Sequence, residues 1–356
     1  MQREFEPLLP LRKRFPILGS TLYHPRVNGG IAVLALMMSA LPGAPGSTSP
    51  HASAPGAGAT NTAEPLFRVT LLGTGNPRPS IDRFGPAILV EAGDTRLLFD
   101  CGRGATQRLF QLEGATLLRS IDAVFLTHLH SDHVVGLPDL WLTGWLFGRH
   151  WPLSLYGPKG TAELATHLSA AFAFDLKMRQ QDEGLAPDGA RLKAKDGLPG
   201  VLFQKDGLSV VAFAVDHGPV RPAFGYRIDF AGHSVVLSGD TRATDAVANA
   251  AKGADLLVHE VIAPDAERRL AAIDDPKAIE KILARHATPE DCGRLFAKAR
   301  PRLAVYSHIV PSPATDADLI PPTRRFYDGP LEVGHDLMAV TIGAKVEVTT
   351  REGLQR

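Results

Sequence analysis

The sequence predicts an α/β protein whose helices cover mixed β-sheets. From residue 66 onward, short apolar segments typical of strands alternate with segments of helical periodicity, and four strand-like segments follow one another between residues 201 and 239. Strands mixed with helices in this way favour a layered α/β architecture with mixed sheets. The composition, 44% hydrophobic and 21% charged, is that of an ordinary globular protein. The formal net charge of +0 gives no indication of a broad basic surface for nucleic acid.

The predicted strands are short, contain β-branched or aromatic residues and are bounded by Gly, Asp or Pro. They are 67–75, 87–92, 95–100, 121–127, 152–157, 201–205, 208–215, 223–230, 233–239, 254–260, 302–308, 336–343 and 345–350, the last two forming a hairpin. The predicted helices have apolar residues at helical spacing. They are 104–112, 137–148, 160–174, 244–251, 275–286 and 288–299. Residues 175–200 are polar and predict an irregular surface segment.

Residues 1–64 differ in composition from the rest of the chain. Basic residues precede the apolar run 31–41, and a stretch rich in Pro, Gly, Ala and Ser follows it. This order predicts a secretory signal and a flexible tether over 1–64, with cleavage after Ala44 or Ala54, and one folded domain over 65–356. The protein would then be exported to the periplasm or secreted. The alternative is an uncleaved extension on a cytoplasmic protein. The run is too short to span a bilayer comfortably, and no later stretch is long and apolar enough.

The two cysteines, Cys101 and Cys292, exclude a disulfide framework and a cysteine-based zinc site. We expect Cys101 to pack beside the predicted strand 95–100, and Cys292 to lie in the predicted helix 288–299. The sequence does not decide whether the two cysteines pair.

Three histidines and an aspartate lie within six positions, directly after the predicted strand 121–127. They are His128, His130, Asp132 and His133. Residues two apart on an extended chain point to the same side, so His128 and His130 can bind at one point. Asp132 and His133, where a helix begins, can bind at a second. Imidazole and carboxylate suit Zn²⁺ and also Fe²⁺ or Mn²⁺, and a cluster without Cys fits an open catalytic site. The alternative is a polar turn with hydrogen-bonded histidines.

Further candidate ligands follow other apolar strands. They are His217, Asp240 and His308. Each alone is explained equally well as a capping or turn residue, and Asp240 has the chemistry to cap the helix that follows it. Loops at strand ends often hold functional groups on a rigid scaffold, and the same position recurs three times. We therefore predict that these residues complete a site with two metal ions.

The motifs "LLGTGNPRP", "LLFDCGRGATQRL", "THLHSDHVVGLPDL", "VDHG", "FGYRI", "LSGDT", "LVHE", "HATPED" and "YSHI" resemble the metallo-β-lactamase superfamily. The resemblance extends from Phe67 to about Val348, and within the superfamily it is strongest to ribonuclease Z and the neighbouring arylsulfatase-like proteins. It implies a four-layer αββα sandwich over 65–356, two mixed β-sheets flanked by helices, with a dinuclear metal site at one edge.

The resemblance also implies roles for individual residues. One metal is held by His128, His130 and His217, the other by Asp132, His133 and His308, and Asp240 bridges them. The two ions activate a shared water as hydroxide, Asp132 accepts its proton, and His286, oriented by Glu260, donates a proton to the leaving group. The alternative for the last pair is a helix-capping histidine and a polar strand end. Penicillin-hydrolysing members lack an aspartate like Asp240 as a bridge, which argues against β-lactamase activity.

Three departures from ribonuclease Z argue against tRNA as the substrate. Ribonuclease Z has a long basic arm between the strands of "FGYR" and "SGDT", where this chain has only residues 228–237. After the last ligand this chain reads "SHIVPSP" rather than serine, arginine and tyrosine. An exported enzyme would also not meet precursor tRNA. RNA affinity comes mainly from Lys and Arg that neutralise the backbone, and a neutral chain without the arm has no obvious equivalent.

An aromatic stretch follows the histidine motif and contains all three tryptophans of the chain. Trp141, Trp145 and Trp151 are predicted to line a pocket, with Arg149 or Arg221 binding an anionic group, although core packing is the alternative, favoured for Trp141. We therefore predict a hydrolase with two divalent ions, Zn²⁺ in preference to Mn²⁺ or Fe²⁺. Its predicted substrate is a small anionic sulfate or phosphate ester, aryl esters included. The alternatives are tRNA 3′-end processing as in ribonuclease Z, hydrolysis of a lactone or other acyl ester, and a non-catalytic metal-binding protein. A homodimer is common among relatives.

Overall fold

Two mixed β-sheets lie face to face in the computed structural model, which describes residues 65–270 and 276–350. The strands, in chain order, are β1 Phe67–Gly73, β2 Ala87–Ala92, β3 Thr95–Phe99, β4 Ala123–Phe125, β5 Leu153–Gly157, β6 Leu192–Asp196, β7 Gly200–Lys205, β8 Leu208–Ala214, β9 Phe224–Phe230, β10 His233–Leu237, β11 Leu256–Ile262, β12 Leu303–Val310, β13 Leu331–Val333, β14 Ala339–Ile342 and β15 Val346–Thr349. The first sheet has the order β15-β14-β1-β2-β3-β4-β5-β6, and the second has the order β13-β12-β11-β10-β9-β8-β7. Each sheet contains both parallel and antiparallel pairs, as predicted.

Helices cover the outer face of each sheet. They are α1 Ala105–Glu113, α2 Ala115–Arg119, α3 Ser131–Val134, α4 Leu137–Leu146, α5 Thr161–Ala171, α6 Ala173–Asp182, α7 Asp245–Ala250, α8 Pro264–Leu270, α9 Pro276–Leu283, α10 Pro289–Ala299 and α11 Asp316–Arg324. Within the described ranges, no helix is both long and apolar enough to cross a bilayer. The predicted four-layer αββα sandwich is confirmed.

Alternation along the strands builds three apolar layers. In β3, Leu97 and Phe99 face the second sheet, where they join Tyr226 in the central layer. Leu98, between them, packs with Trp141 under the helices of the first sheet. A third layer lies between the second sheet and its own helices. Because both faces of the central strands are buried, these strands are apolar throughout. Such continuous apolar runs allow the strands to be predicted from the sequence.

The segment 175–200 was wrongly predicted to be irregular. It contains most of α6 and also β6. Helix α6 has no buried residue, so its sequence lacks the apolar periodicity by which helices are recognised. It is supported instead by Arg179, which forms ion pairs of 2.9 Å with both Asp175 and Glu183 one turn away on either side.

A buried carboxylate, that of Asp336, binds three other segments in and around the first sheet. Asp336 accepts hydrogen bonds from the backbone N–H of Thr74 and Phe84, at 2.9 and 2.8 Å, and forms a 3.0 Å ion pair with the buried Arg108. Removing the carboxylate would leave a buried guanidinium, a buried N–H group and a partly buried N–H group without their acceptor. We therefore expect Asp336→Ala to lower the free energy of unfolding by about 3–5 kcal/mol in urea denaturation.

The control for this variant is Asp188→Ala, which removes a carboxylate from an exposed ion pair with Arg191. Exposed pairs contribute about 0–1 kcal/mol because water screens them. Equal losses of stability in Asp188→Ala and Asp336→Ala would contradict the importance given to the buried network.

The predicted signal and tether over 1–64 lie outside the described residues. The boundary at residue 65, the cleavage site and the export of the protein therefore stay predictions.

Candidate metal centre

The predicted metal ligands lie together at one edge of the two sheets. The first sheet supplies the loop after β4 and helix α3, with His128, His130, Asp132 and His133. The second sheet supplies His217 after β8, Asp240 after β10 and His308 within β12. Strands β8, β10, β11 and β12 run in the same direction, so their carboxyl ends meet at one edge. The site is thus shared between both sheets.

Three histidines form the first group of possible metal-binding atoms. His128 Nε2 lies 2.9 Å from His130 Nδ1, and His217 Nε2 lies 3.4 Å from the same atom. The three ligand atoms all lie within 4.8 Å of one another. This is the group that the family resemblance assigned to one metal.

The second group consists of Asp132, His133 and His308. Asp132 Oδ2 lies 3.4 Å from His308 Nε2 and 3.6 Å from His133 Nε2. Asp240 lies between this group and the first, because its Oδ2 atom is 3.3 Å from His308 Nε2 and 3.9 Å from His128 Nε2. A central carboxylate within reach of both groups is the arrangement that a bridging ligand requires.

Unpartnered buried atoms show that the residues fit divalent cations. His133 Nε2 and Asp240 Oδ1 are buried and have no hydrogen-bond partner among the described residues. A buried polar atom without a partner costs about 1–3 kcal/mol, and metal coordination would remove that cost. The donor set of imidazoles and carboxylates without thiolate suits an open catalytic site.

The electrostatics of the centre agree with this fit. Burial lowers the pKa of His128 and of His217, so both rings favour the neutral form that binds metals. Burial raises the pKa of Asp240, but the neighbouring His308 and His133 outweigh burial and hold that pKa well below its usual range. Burial also lowers the pKa of His133, yet Asp240 and Asp100 raise it well above its ordinary value. The carboxylates therefore favour positive charge at the His133 ring, where a cation can take the place of a proton.

A residue that the sequence analysis did not assign, Asp100, orients the first-sheet ligands. Its Oδ2 atom accepts a hydrogen bond from His133 Nδ1 at 2.8 Å, which leaves Nε2 directed at the metal groups. The same carboxylate accepts hydrogen bonds from the N–H and hydroxyl of Thr127, and that hydroxyl lies 3.0 Å from His128 Nδ1. Asp100 follows β3 in a left-handed conformation, with a φ of 57°. Its position after an apolar strand was the available signal, since the same criterion identified His217 and Asp240.

We expect Asp100→Asn to weaken metal binding and turnover by about 10- to 100-fold, as is typical when the group that orients a histidine ligand is changed. The amide can no longer offer an anionic acceptor to His133 Nδ1. Metal affinity is measured by competition with a chromogenic chelator. The control is Asp94→Asn in the exposed turn between β2 and β3, and an equally large loss there would contradict the assignment.

Close backbone packing holds the histidine loop in place. Cys101 N–H donates to the His133 carbonyl at 2.8 Å, and Gly136 N–H donates to the Cys101 carbonyl at 2.9 Å. A Cβ at Gly102 would lie only 2.5 Å from the Asp132 carbonyl oxygen, so the turn after β3 must be glycine to approach α3. Cys101 and Cys292 are both buried and unpaired, in agreement with the packing role expected of Cys101.

A bulge aims His308 at the centre. The sequence placed His308 at the end of its strand, but β12 continues to Val310. Opposite β11, Glu260 pairs with Ser307 and Val261 pairs with Ile309, so His308 is the extra residue. Its φ of 43° is left-handed, and such bulges redirect a side chain out of the alternating pattern of a strand.

Glu260 and His286 form a pair beside the metal groups. His286 Nδ1 lies 3.0 Å from Glu260 Oε1, which also accepts hydrogen bonds from the backbone N–H of Thr241 and of Ala287. Burial lowers the pKa of His286, but the Glu260 carboxylate outweighs burial and raises that pKa to about 9. The ring of His286 stacks on that of His308 with centroids 5.8 Å apart. The Glu260 carboxylate thus favours the protonated form of the His286 imidazole at the edge of the predicted centre.

The predicted aromatic pocket does not form. Trp141 and Trp145 are buried, and Arg149 is buried against the carbonyls of Trp141 and Gly189. Trp141 and Trp145 lie at helical spacing from Leu137 on α4, so all three share the buried face of this helix. Leu137 and Trp141 pack on the first sheet. Neither these residues nor Trp151 and Arg221 line the cavity at the metal groups. The aryl-binding interpretation therefore has no structural basis.

One protein family and several known proteins resemble this chain in sequence or in fold. The profile of the "Beta-lactamase superfamily domain" matches residues 95–309. Ribonuclease Z of Mycobacterium sp. (strain KMS) is 34% identical over 281 residues, covering 78% of this chain and 96% of that protein. The metallo-beta-lactamase fold protein YhfI from Bacillus subtilis has a TM-score of 0.61 at 21% identity, covering 78% of this chain and all of that one. Human tRNase Z, short form, has a TM-score of 0.57 at 23% identity, covering 78% of this chain and 99% of that one.

These findings show that the predictions of a small anionic sulfate or aryl ester as substrate, and of tRNA as disfavoured, were wrong. The relatives named Ribonuclease Z are matched over 96% of their length, so little of those enzymes lacks a counterpart here. The connection between β9 and β10 is indeed only Ala231 and Gly232. A short hairpin in place of the long arm means one surface fewer for RNA. The residues at the metal edge do not depend on that arm. The argument from export rested on residues outside the described ranges.

The superfamily profile covers more than half of the chain, and the fold and the relatives agree with it. This protein is a metal-dependent hydrolase that acts on ester bonds, and it belongs to the metallo-β-lactamase superfamily, on the branch that includes ribonuclease Z.

Proposed function

We propose that this protein is an endoribonuclease of the ribonuclease Z type, which hydrolyses a phosphodiester bond at the 3′ end of precursor tRNA. The main support is the 34% identity to a mycobacterial Ribonuclease Z over 96% of the length of that enzyme. The site geometry is compatible with the proposal, because two groups of possible metal-binding atoms, a central carboxylate and the His286 imidazole paired with Glu260 lie at one edge.

The proposed metal complement is two divalent ions, with Zn²⁺ favoured by the imidazole and carboxylate donors. One group of ligands is His128, His130 and His217, the other is Asp132, His133 and His308, and Asp240 lies between them. Such ions supply Lewis acidity, which lowers the pKa of water and stabilises negative charge on phosphate oxygens.

The chain itself supplies the proton transfers. Asp132 has its Oδ2 atom beside His133 and His308 and lines the cavity, so we propose that it accepts the proton of the attacking water. His286 lines the same cavity and is held protonated by Glu260, so we propose that it gives a proton to the leaving ribose oxygen. The oxygen of the water forms a bond to phosphorus, and the bond between phosphorus and the ribose oxygen breaks.

The test uses the purified, zinc-loaded protein and a precursor tRNA with a short 3′ trailer. We expect one cut at the 3′ end of the mature tRNA, releasing a trailer with a 5′ phosphate, and loss of this activity in His133→Ala. Turnover of p-nitrophenyl sulfate should be absent or far slower. Random degradation of the RNA, or no cleavage while bis-p-nitrophenyl phosphate is turned over rapidly, would contradict the proposal.

A further inference from the structure

The cavity at the metal edge contains an arginine that none of the roles above includes. The cavity has a volume of about 240 Å³ and is lined on one part of its wall by residues of the predicted centre. Arg78, Ile282 and Arg285 belong to the rest of the wall. Arg285 directly precedes His286 and is half-buried.

Arg285 differs from the other arginines around the centre in its ion pairing. Arg78 forms two hydrogen bonds with the Glu267 carboxylate, at 2.6 and 2.7 Å. Arg242 lies 2.7 Å from Asp216. For Arg285, none of the residues described in this structure places a carboxylate within 4.0 Å of the guanidinium. Its positive charge is therefore the one in this wall without a neighbouring counterion from the described chain.

The backbone and the hydrocarbon stem of Arg285 are held in place. Its N–H donates to the Ile282 carbonyl at 3.0 Å, and its own carbonyl accepts from His217 Nδ1 at 3.3 Å. A Cβ added to Gly218 would lie 3.1 Å from Arg285 Cγ, so the stem lies against the glycine. The side chain is thus anchored at its base, and the residue lines the wall of the cavity.

The charges in this wall favour a ligand with more than one negative charge. Asp132 and Asp240 would neutralise only part of the positive charge of two divalent ions. The third carboxylate of the wall, Glu267, is already paired with Arg78. A half-buried guanidinium without a counterion is costly, and a phosphate offers it two oxygens in the planar geometry that it binds best. The metal ligands and His286 have proposed roles at the phosphate that is cleaved. Arg285 has no role at that phosphate.

We propose that Arg285 binds a phosphate of the RNA adjacent to the one that is cleaved. This contact makes the enzyme prefer a polynucleotide to an isolated phosphodiester. The proposal rests on the proposed ribonuclease function and adds a substrate-binding residue to it.

Arg285→Gln should raise the KM for precursor tRNA by about tenfold, as expected for the loss of one charge-assisted contact. The fall in kcat should be smaller than the rise in KM. The slope of log affinity against log salt should decrease by about one, since one phosphate contact is lost. Turnover of bis-p-nitrophenyl phosphate, which has a single phosphate, should fall by less than about threefold. Arg285→Lys should give an intermediate KM because it keeps the charge without the planar fork.

Lys252→Gln is the matched control, since it removes one positive charge from an exposed position after α7, and it should leave KM unchanged. Zinc content and the midpoint of thermal unfolding are measured for each variant. If Arg285→Gln loses zinc or unfolds early, the KM values of Arg285→Lys and of the unmodified protein for precursor tRNA are compared instead. That comparison then decides whether Arg285 binds the RNA. Equal losses on both substrates in folded, zinc-loaded protein would overturn the proposal.

The decisive experiment neutralises single phosphates of the RNA by methylphosphonate substitution, one on each side of the scissile linkage. In the unmodified protein, one of these substitutions should raise KM as much as Arg285→Gln does. On that RNA the variant should cause no further increase, as expected when both changes remove one contact. Additive effects on every RNA would overturn the role of Arg285. Failure of the unmodified protein to cut any RNA would instead overturn the proposed function.

Discussion

Replacing Asp240 by Ala should lower turnover of any phosphodiester by about a thousandfold. Metal ions contribute several kcal/mol to transition-state stabilisation, and each 1.36 kcal/mol corresponds to about a factor of ten. Asp240 Oδ2 lies within 3.9 Å of ligand nitrogens in both histidine groups. Removing this carboxylate also leaves two cations to be held with one negative charge fewer. We therefore expect the variant to retain at most one ion per chain.

The measurement is the zinc content of dialysed protein by mass spectrometry, beside initial rates with bis-p-nitrophenyl phosphate and precursor tRNA. Asp94→Ala, in the exposed turn between β2 and β3, is the control for loss of a carboxylate. An Asp240→Ala protein that keeps two ions and more than a tenth of the activity would show that this residue is not the shared ligand.

The second large effect is expected for His286→Ala on substrates with a poor leaving group. A positioned general acid contributes about 10²- to 10⁴-fold, and the leaving ribose oxygen needs a proton far more than p-nitrophenolate does. Cleavage of precursor tRNA should therefore fall by about that factor, while turnover of bis-p-nitrophenyl phosphate should fall by less than about tenfold. Glu260→Gln should produce a smaller loss of the same kind, because the carboxylate keeps the imidazole protonated and oriented.

The ratio of the two substrates is the quantity to be measured, since general damage to the centre would lower both rates together. Thr288→Ser is a suitable control in the same segment, because it keeps the hydroxyl that accepts from the Asp291 N–H at the start of α10. Unchanged tRNA cleavage in His286→Ala would remove His286 from the role of proton donor.

Local pattern was sufficient to predict most of the candidate site. The H-x-H-x-D-H spacing and the polar residues after apolar strands are properties of short segments, and seven candidate ligands were found in this way. Their pairing into two groups and the αββα assembly came from the resemblance to a family, because no local pattern specifies which strands become neighbours.

Tertiary contacts explain what was missed. Asp100 acts through His133, 33 residues away, and only the pairing of β3 with β4 brings them together. Helix α6 has no apolar face to detect, and Trp141 and Trp145 face the core because of their position on α4. The small-ester substrate was mispredicted because short motifs at the metal edge do not carry the similarity that extends along the chain to relatives named Ribonuclease Z.

The division of the ligands between the two sheets links metal binding to the stability of the whole domain. Four candidate ligands come from the first sheet and three from the second. Ions that bind only when both sheets are in place favour the folded state by mass action, by about 4 kcal/mol at a thousandfold excess over the dissociation constant. Growth under limitation of the bound metal would thus reduce the abundance of the protein, through faster proteolysis of unfolded chains, as well as its rate of turnover.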